Sequence, residues 1–136
     1  MEVYYITGTS RGIGKAIAEA LLTKENRLIY GISRNSTIEH KNYQHISLDL
    51  NQLDSVREFT FGDHPKAEKI VLLNNAGILG HVTPVGNLYN ERIINSYNIN
   101  LISPSILINK FIGQYKYHSA KKMIINTSSG AARHTI

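Results

Sequence analysis

The sequence predicts an α/β chain folded around a doubly wound parallel sheet, and three observations carry that prediction. Apolar runs of strand length alternate with stretches of helical spacing along the 136 residues, the pattern of strand–helix–strand crossovers. The first apolar run turns on glycines directly into a helical pattern. Polar, turn-forming segments follow four of the five apolar runs. They therefore fall at carboxyl ends of strands, where open sheets of this kind bind ligands.

Strands are expected near residues 2–7, 27–32, 43–48, 69–74 and 121–127. The first helix, about 12–24, carries Ile13, Ala16, Ile17, Ala20 and Leu21, which share one stripe at about 100° per residue. A second helix near 52–60 should pack through Leu53, Val56 and Phe59. A third, about 88–115, carries Ile93, Ile94, Tyr97 and Leu101. Pro104 should kink it, because proline lacks the N–H that the Asn100 carbonyl would bond, and a freed carbonyl can hold a water. Right-handed crossovers give the strand order 3-2-1-4-5. The last strand is then an edge, with Met123, Ile124 and Ile125 poorly covered.

Composition bounds the chemistry. At 42% hydrophobic and 18% charged residues the chain is globular rather than disordered, and 1–136 reads as one domain. Cysteine is absent, which excludes disulfides, thiolate metal sites and cysteine nucleophiles. The six histidines (40, 45, 64, 81, 118 and 134) show no metal-ligand spacing, so no metal is expected. The net charge is +5, yet the fifteen Lys and Arg are scattered, with Lys121-Lys122 the only adjacent pair. A nucleic-acid partner would need that charge clustered. Neither a signal peptide nor a membrane-length apolar run is visible, so the expectation is a cytoplasmic protein without a membrane partner.

The segment Thr7-Gly8-Thr9-Ser10-Arg11-Gly12-Ile13-Gly14 is the most informative. A strand that turns on glycines into a helix suits a dinucleotide pyrophosphate, which takes the unpaired N–H groups and positive dipole end of the helix start. The spacing is G-x-x-x-G-x-G, neither G-x-G-x-x-G nor the triphosphatase loop. Gly8, Gly12 and Gly14 are expected along the pyrophosphate, with Ser10, Arg11 and Ile13 on the same loop. Sites that prefer NAD place an acid on the ribose after the second strand. Here Gly31-Ile32-Ser33-Arg34-Asn35 stands there, and no carboxylate occurs until Glu39. Arg34 offers a charged donor fork for a 2′-phosphate, with Arg11 in reach, so the expected cofactor is NADP(H).

Three further segments follow in order: Asp49-Leu50, Asn74-Asn75-Ala76-Gly77 and Asn126-Thr127-Ser128-Ser129. With the glycine segment they resemble the short-chain dehydrogenase/reductase family over essentially the whole chain. The run Asn74 to Gly80 with Ser128-Ser129-Gly130-Ala131-Ala132 is most similar to its sepiapterin-reductase and benzil-reductase branch. The resemblance implies a Rossmann fold and hydride transfer to a carbonyl, a ketone or diketone. It implies that Asp49 accepts from the adenine amino group with Leu50 beside the ring, although Asp49 or Asn51 could instead cap the next helix. It implies that Asn75, Ala76 and Gly77 steady the sheet against the ribose, that Ser129 binds the substrate oxygen, and that Asn100 supports a proton relay. A homo-oligomer, dimer or tetramer, is implied as well.

The family's Tyr-x-x-x-Lys lies about a dozen residues past the Ser, which here falls beyond Ile136, as do the family's last strands. The string Tyr117-x-x-x-Lys121 precedes the Ser strand and should sit at its opposite end. The expectation is therefore an NADPH-dependent carbonyl reductase whose domain is C-terminally incomplete. The alternative is an NADP-binding fragment that catalyses nothing.

Overall fold

Five apolar runs become five parallel strands in a computed structural model that describes residues 1–130 and Arg133. They are β1 (Glu2–Thr7), β2 (Arg27–Ser33), β3 (Tyr43–Ser47), β4 (Lys69–Asn74) and β5 (Lys121–Asn126), in the spatial order β3-β2-β1-β4-β5. This is the predicted doubly wound order. The register runs from Glu2 beside Arg27 and Lys69 at the amino end to Ile6 beside Gly31 and Leu73. Ala131, Ala132 and His134 of the sequence motifs lie outside the described residues.

Both sheet faces are apolar because side chains alternate and both are covered. Tyr4, Ile6, Ile29, Val71 and Leu73 pack with Ala18 and Leu22 of α1 (Gly12–Leu22). On the other face Val3, Tyr5, Ile70 and Leu72 pack with Val56 of α2 (Leu53–Glu58) and with Leu107, Phe111 and Tyr115 of α4 (Ser103–Tyr115). The α4 residues recur every four positions from Ser103, one buried face of a helix.

Two stripes differ from expectation. The buried face of α1 is Gly14, Ala18 and Leu22, with Ile17 and Leu21 half-buried, while Ile13 is 66% exposed. Ala16 and Ala20 are exposed as well, so the buried stripe is rotated by one residue from the expected one, and the tightest contact, on the Gly8 carbonyl, falls to Gly14. The expected third helix is α3 (Asn90–Tyr97), a π turn (Asn98–Ile102) and α4. The Ser103 N–H bonds the Asn98 carbonyl, five residues back. The widened turn precedes Pro104, whose ring would clash with the carbonyl four residues earlier in a regular helix. Ile93, Ile94, Tyr97 and Leu101 are exposed: the extra residue resets the helical phase, and only the α4 stripe meets the sheet. β5 pairs with β4 alone, and Ile125 is 41% exposed. Among the described residues no helix is long and apolar enough to cross a membrane.

Candidate dinucleotide-binding cleft

A cleft of about 570 Å³ opens where β1 to β4 end. Its floor is the glycine loop. Gly8 leaves β1 with φ +75° and Gly12 opens α1 with φ +60°, a left-handed conformation that costs other residues about 1–2 kcal/mol. No side chain caps the amino end of α1, and its first turn holds no acid. The leading N–H groups and the positive dipole end are thus left for an anion. A Cβ on Gly12 would meet nothing within 4 Å, so the loop backbone is open to a phosphate. These features fit a dinucleotide pyrophosphate.

Of the predicted loop residues, Gly8, Ser10, Arg11, Gly12 and Ile13 line the cleft. Gly14 stands behind it: a Cβ there would strike the Gly8 carbonyl and come within 2.6 Å of Asn75 Nδ2. Gly14 therefore lets α1 close against the end of β4. Asn75, Ala76 and Gly77 form the facing wall. They are tied to the loop by the buried Thr7, whose Oγ1 accepts the N–H groups of Asn75 at 3.0 Å and Ala76 at 2.9 Å. Thr127, just past β5, donates its hydroxyl to Asn75 Oδ1 at 3.3 Å and its N–H to the Asn74 carbonyl at 3.0 Å. The asparagines are thus structural ties between strand ends. Asn74 is buried and donates to Asn126 Oδ1 at 3.1 Å, while its own Oδ1 has no partner among the described residues.

Arg34, exposed at the end of β2, lines the same cleft as Arg11. Asp49 and Leu50, after β3, line it farther along, and Asp49 is the one carboxylate among the described lining residues. Asp49 Oδ1 accepts the Asn51 N–H at 2.9 Å. That bond closes a local turn, since no side chain caps α2.

Asn100 and Ser129 do not line the cleft. The Asn100 side chain clamps Ile78, accepting its N–H and donating to its carbonyl, both at 2.8 Å. Ser129 is exposed, three residues past the end of β5 and two past Thr127, which lines the cleft. Tyr117 is 91% exposed and Lys121 opens β5 beside Lys69, so that pair lies at the opposite end of the sheet, as its place in the sequence predicts.

Three features escape the sequence reading. Thr7 bridges two strand ends, Asn98 Nδ2 donates to Asn51 Oδ1 at 3.1 Å, and Ser103 Oγ donates to the Leu50 carbonyl at 2.5 Å. The signal for Thr7 was a polar residue at the last position of an apolar strand. The other two depend on the π turn and had none.

A family model described as short chain dehydrogenase matches residues 2–136. A benzil reductase ((S)-benzoin forming) of Bacillus subtilis is 32% identical over 98% of this chain and 57% of its own length. Its Bacillus cereus counterpart is 33% identical over 98% of this chain and 58% of its own. The chain thus spans just over half the length of these curated relatives. A metagenomic short-chain oxidoreductase solved in complex with NADP superimposes with a TM-score of 0.83 at 26% identity, covering 99% of this chain and 64% of that one. A parallel sheet in this order, a glycine loop at its switch point and a family match across nearly every residue agree: the chain belongs to the short-chain dehydrogenase family.

Proposed function

We propose that this chain is the cofactor-binding part of an NADP(H)-dependent carbonyl reductase acting on a ketone or diketone. One observation carries the cofactor choice. Two guanidinium groups, Arg11 and Arg34, flank the cleft, and no carboxylate follows β2 where an NAD site holds its acid. A guanidinium fork suits a phosphate by charge and by shape. The benzil reductase relatives support the substrate class.

In this reading Gly8, Gly12 and the start of α1 hold the pyrophosphate, Arg34 and Arg11 the 2′-phosphate, and Asp49 with Leu50 the adenine. Asn75 to Gly77 border the ribose. When bound, the reduced nicotinamide supplies the hydride. Ser129 donates a hydrogen bond to the carbonyl oxygen, and Asn100, whose side chain is held on Ile78 beside Gly77, supports the proton relay. The exposed apolar face of Ile93, Ile94, Tyr97 and Leu101 supports assembly as a homo-oligomer, and the cytoplasm remains the compartment of choice.

Titration calorimetry with NADPH and NADH tests this. Wild type should prefer NADPH, and Arg34→Asp should weaken NADPH roughly ten- to a hundredfold, the worth of a charge-assisted hydrogen bond. Unchanged affinities would remove Arg34 from the site. A second reading, cofactor binding without turnover, draws on the Tyr117-x-x-x-Lys121 string lying far from the cleft. NADPH consumption with benzil separates the two.

A further inference from the structure

The glycine loop has a tie that the cofactor reading does not use. Thr9, between Gly8 and Ser10, is fully buried. Its side chain turns away from the cleft that both neighbours line, and its Oγ1 hydrogen-bonds Tyr43 Oη at 3.0 Å in a buried pair. Tyr43 is the first residue of β3, on the far side of β2. Its ring crosses Gly31 of β2: a Cβ there would collide with the phenol oxygen and lie 2.6 Å from Thr9 Oγ1. A glycine, a tyrosine and a threonine from three segments thus share one space. The ring itself is 9% exposed and packs in the core with Ile29, Ile38, Ala18 and Leu22, so the hydroxyl that meets Thr9 is held from the molecule's interior. The next residue is fixed too: the Ser10 carbonyl accepts the Thr37 hydroxyl at 3.0 Å. That sets the Ser10–Arg11 peptide plane, whose N–H points opposite to its carbonyl.

We propose that Tyr43 is a positioning residue for the pyrophosphate: through Thr9 it holds the glycine loop in its binding conformation before the ligand arrives. The proposal rests on the dinucleotide reading above and adds to it a residue outside the cleft. The physical need is plain. Gly8 and Gly12 give the loop the largest conformational freedom to lose, and ordering it on binding would weaken affinity. An anchor that orders it beforehand removes that cost.

Tyr43→Phe keeps the ring and deletes the hydroxyl. We expect it to weaken NADPH and ADP-ribose, which carry the pyrophosphate, by roughly three- to tenfold, and to leave adenosine 2′-monophosphate, which lacks it, unchanged. The amides of residues 8–12 should exchange faster in the ligand-free variant. Adding Thr9→Val to Tyr43→Phe should cost nothing further, since the partner is already gone. A purely structural tyrosine would lower the melting temperature and leave the three affinities in their wild-type ratios, and that result overturns the proposal. Failure of wild type to bind either nicotinamide dinucleotide would sink the cofactor reading instead. Loop exchange in the ligand-free proteins then decides the positioning claim alone, and equal rates in wild type and Tyr43→Phe reject it.

Discussion

Gly14 and Gly113 carry the same side chain and have opposite reasons for it. At Gly14 a Cβ would occupy the place of the Gly8 carbonyl, a backbone atom that cannot swing aside. Gly14→Ala should push α1 off the loop and cost about 1–3 kcal/mol, as overpacking does, with cofactor affinity falling alongside. Gly113 is an exposed position within α4, and a Cβ there meets nothing within 4 Å. Gly113→Ala should therefore stabilise by about 0.5–1 kcal/mol by restricting the unfolded chain. Thermal melts of the two variants check both signs. Equal shifts would mean that the close approach of α1 to Gly8 is not what Gly14 is for. The glycine at position 14 was legible as spacing but its reason was not: the sequence puts it along the pyrophosphate, whereas it stands behind the cleft and makes room for the Gly8 carbonyl. The requirement at Gly31 was not legible either, because the side chain that excludes a Cβ there comes from Tyr43.

At the scale of elements, the π turn decides where the long helix is fastened. In a regular helix Asn98 and Ser103 would stand about 140° apart, five steps of about 100°. The five-residue hydrogen bond stacks them, so both reach the segment after β3: Asn98 to Asn51, and Ser103 to Leu50. Asn100, on another side, holds Ile78. One irregular turn thus joins the Asp49–Asn51 end of the cleft to the Gly77–Ile78 end. Ser103 is wholly buried. Ser103→Ala should cost about 1–3 kcal/mol by leaving the Leu50 carbonyl without its hydroxyl. Ser105→Ala, at an exposed hydroxyl bonded to its own helix, should stay within about 0.5 kcal/mol. Denaturant melts that rank them otherwise would refute the anchoring. Strand positions and order were legible, because apolar runs and glycine turns are local signals. The apolar phase of the third helix was not, because periodicity assumes a constant turn and one inserted residue breaks it.

Across the whole molecule, the sheet face opposite α1 carries an aromatic layer that links strands, loops and α4. Tyr5 stacks on Tyr30 at 4.7 Å and meets Phe61 edge-on at 4.8 Å, and Phe61 meets Phe111 at 5.5 Å. The hydroxyls are paired: Tyr5 Oη accepts the Gly62 N–H at 2.9 Å and lies 2.7 Å from His64 Nε2, and Tyr115 donates to the Gly62 carbonyl at 2.6 Å. Burial raises the pKa of Tyr5 and of Tyr115 above the usual phenol value. The Tyr5 phenol therefore stays protonated and can donate to a neutral His64 Nε2. His64 sits in the left-handed region at φ 47° and is one of the layer's imidazoles, with His118 edge-on to Tyr115. Burial holds its pKa below the ordinary imidazole value; nearby Asp63 opposes that, and His118 adds to it. The unfolded chain then binds a proton at a higher pH than the folded one. Stability is full above the unfolded pKa of about 6.5 and declines as pH falls through it toward the lower folded value. The melting temperature should thus drop as pH falls below about 6.5. His64→Asn, which tolerates the left-handed backbone and carries no proton, should lower stability at neutral pH yet flatten that slope. A wild-type slope kept intact in His64→Asn would assign the acid sensitivity elsewhere, with Glu2 the next candidate. Its pKa is lowered first by the Tyr4 hydroxyl and then by Arg27. Its contribution would fade only as pH falls through the carboxylate range, so the pH at which the loss begins tells the two groups apart.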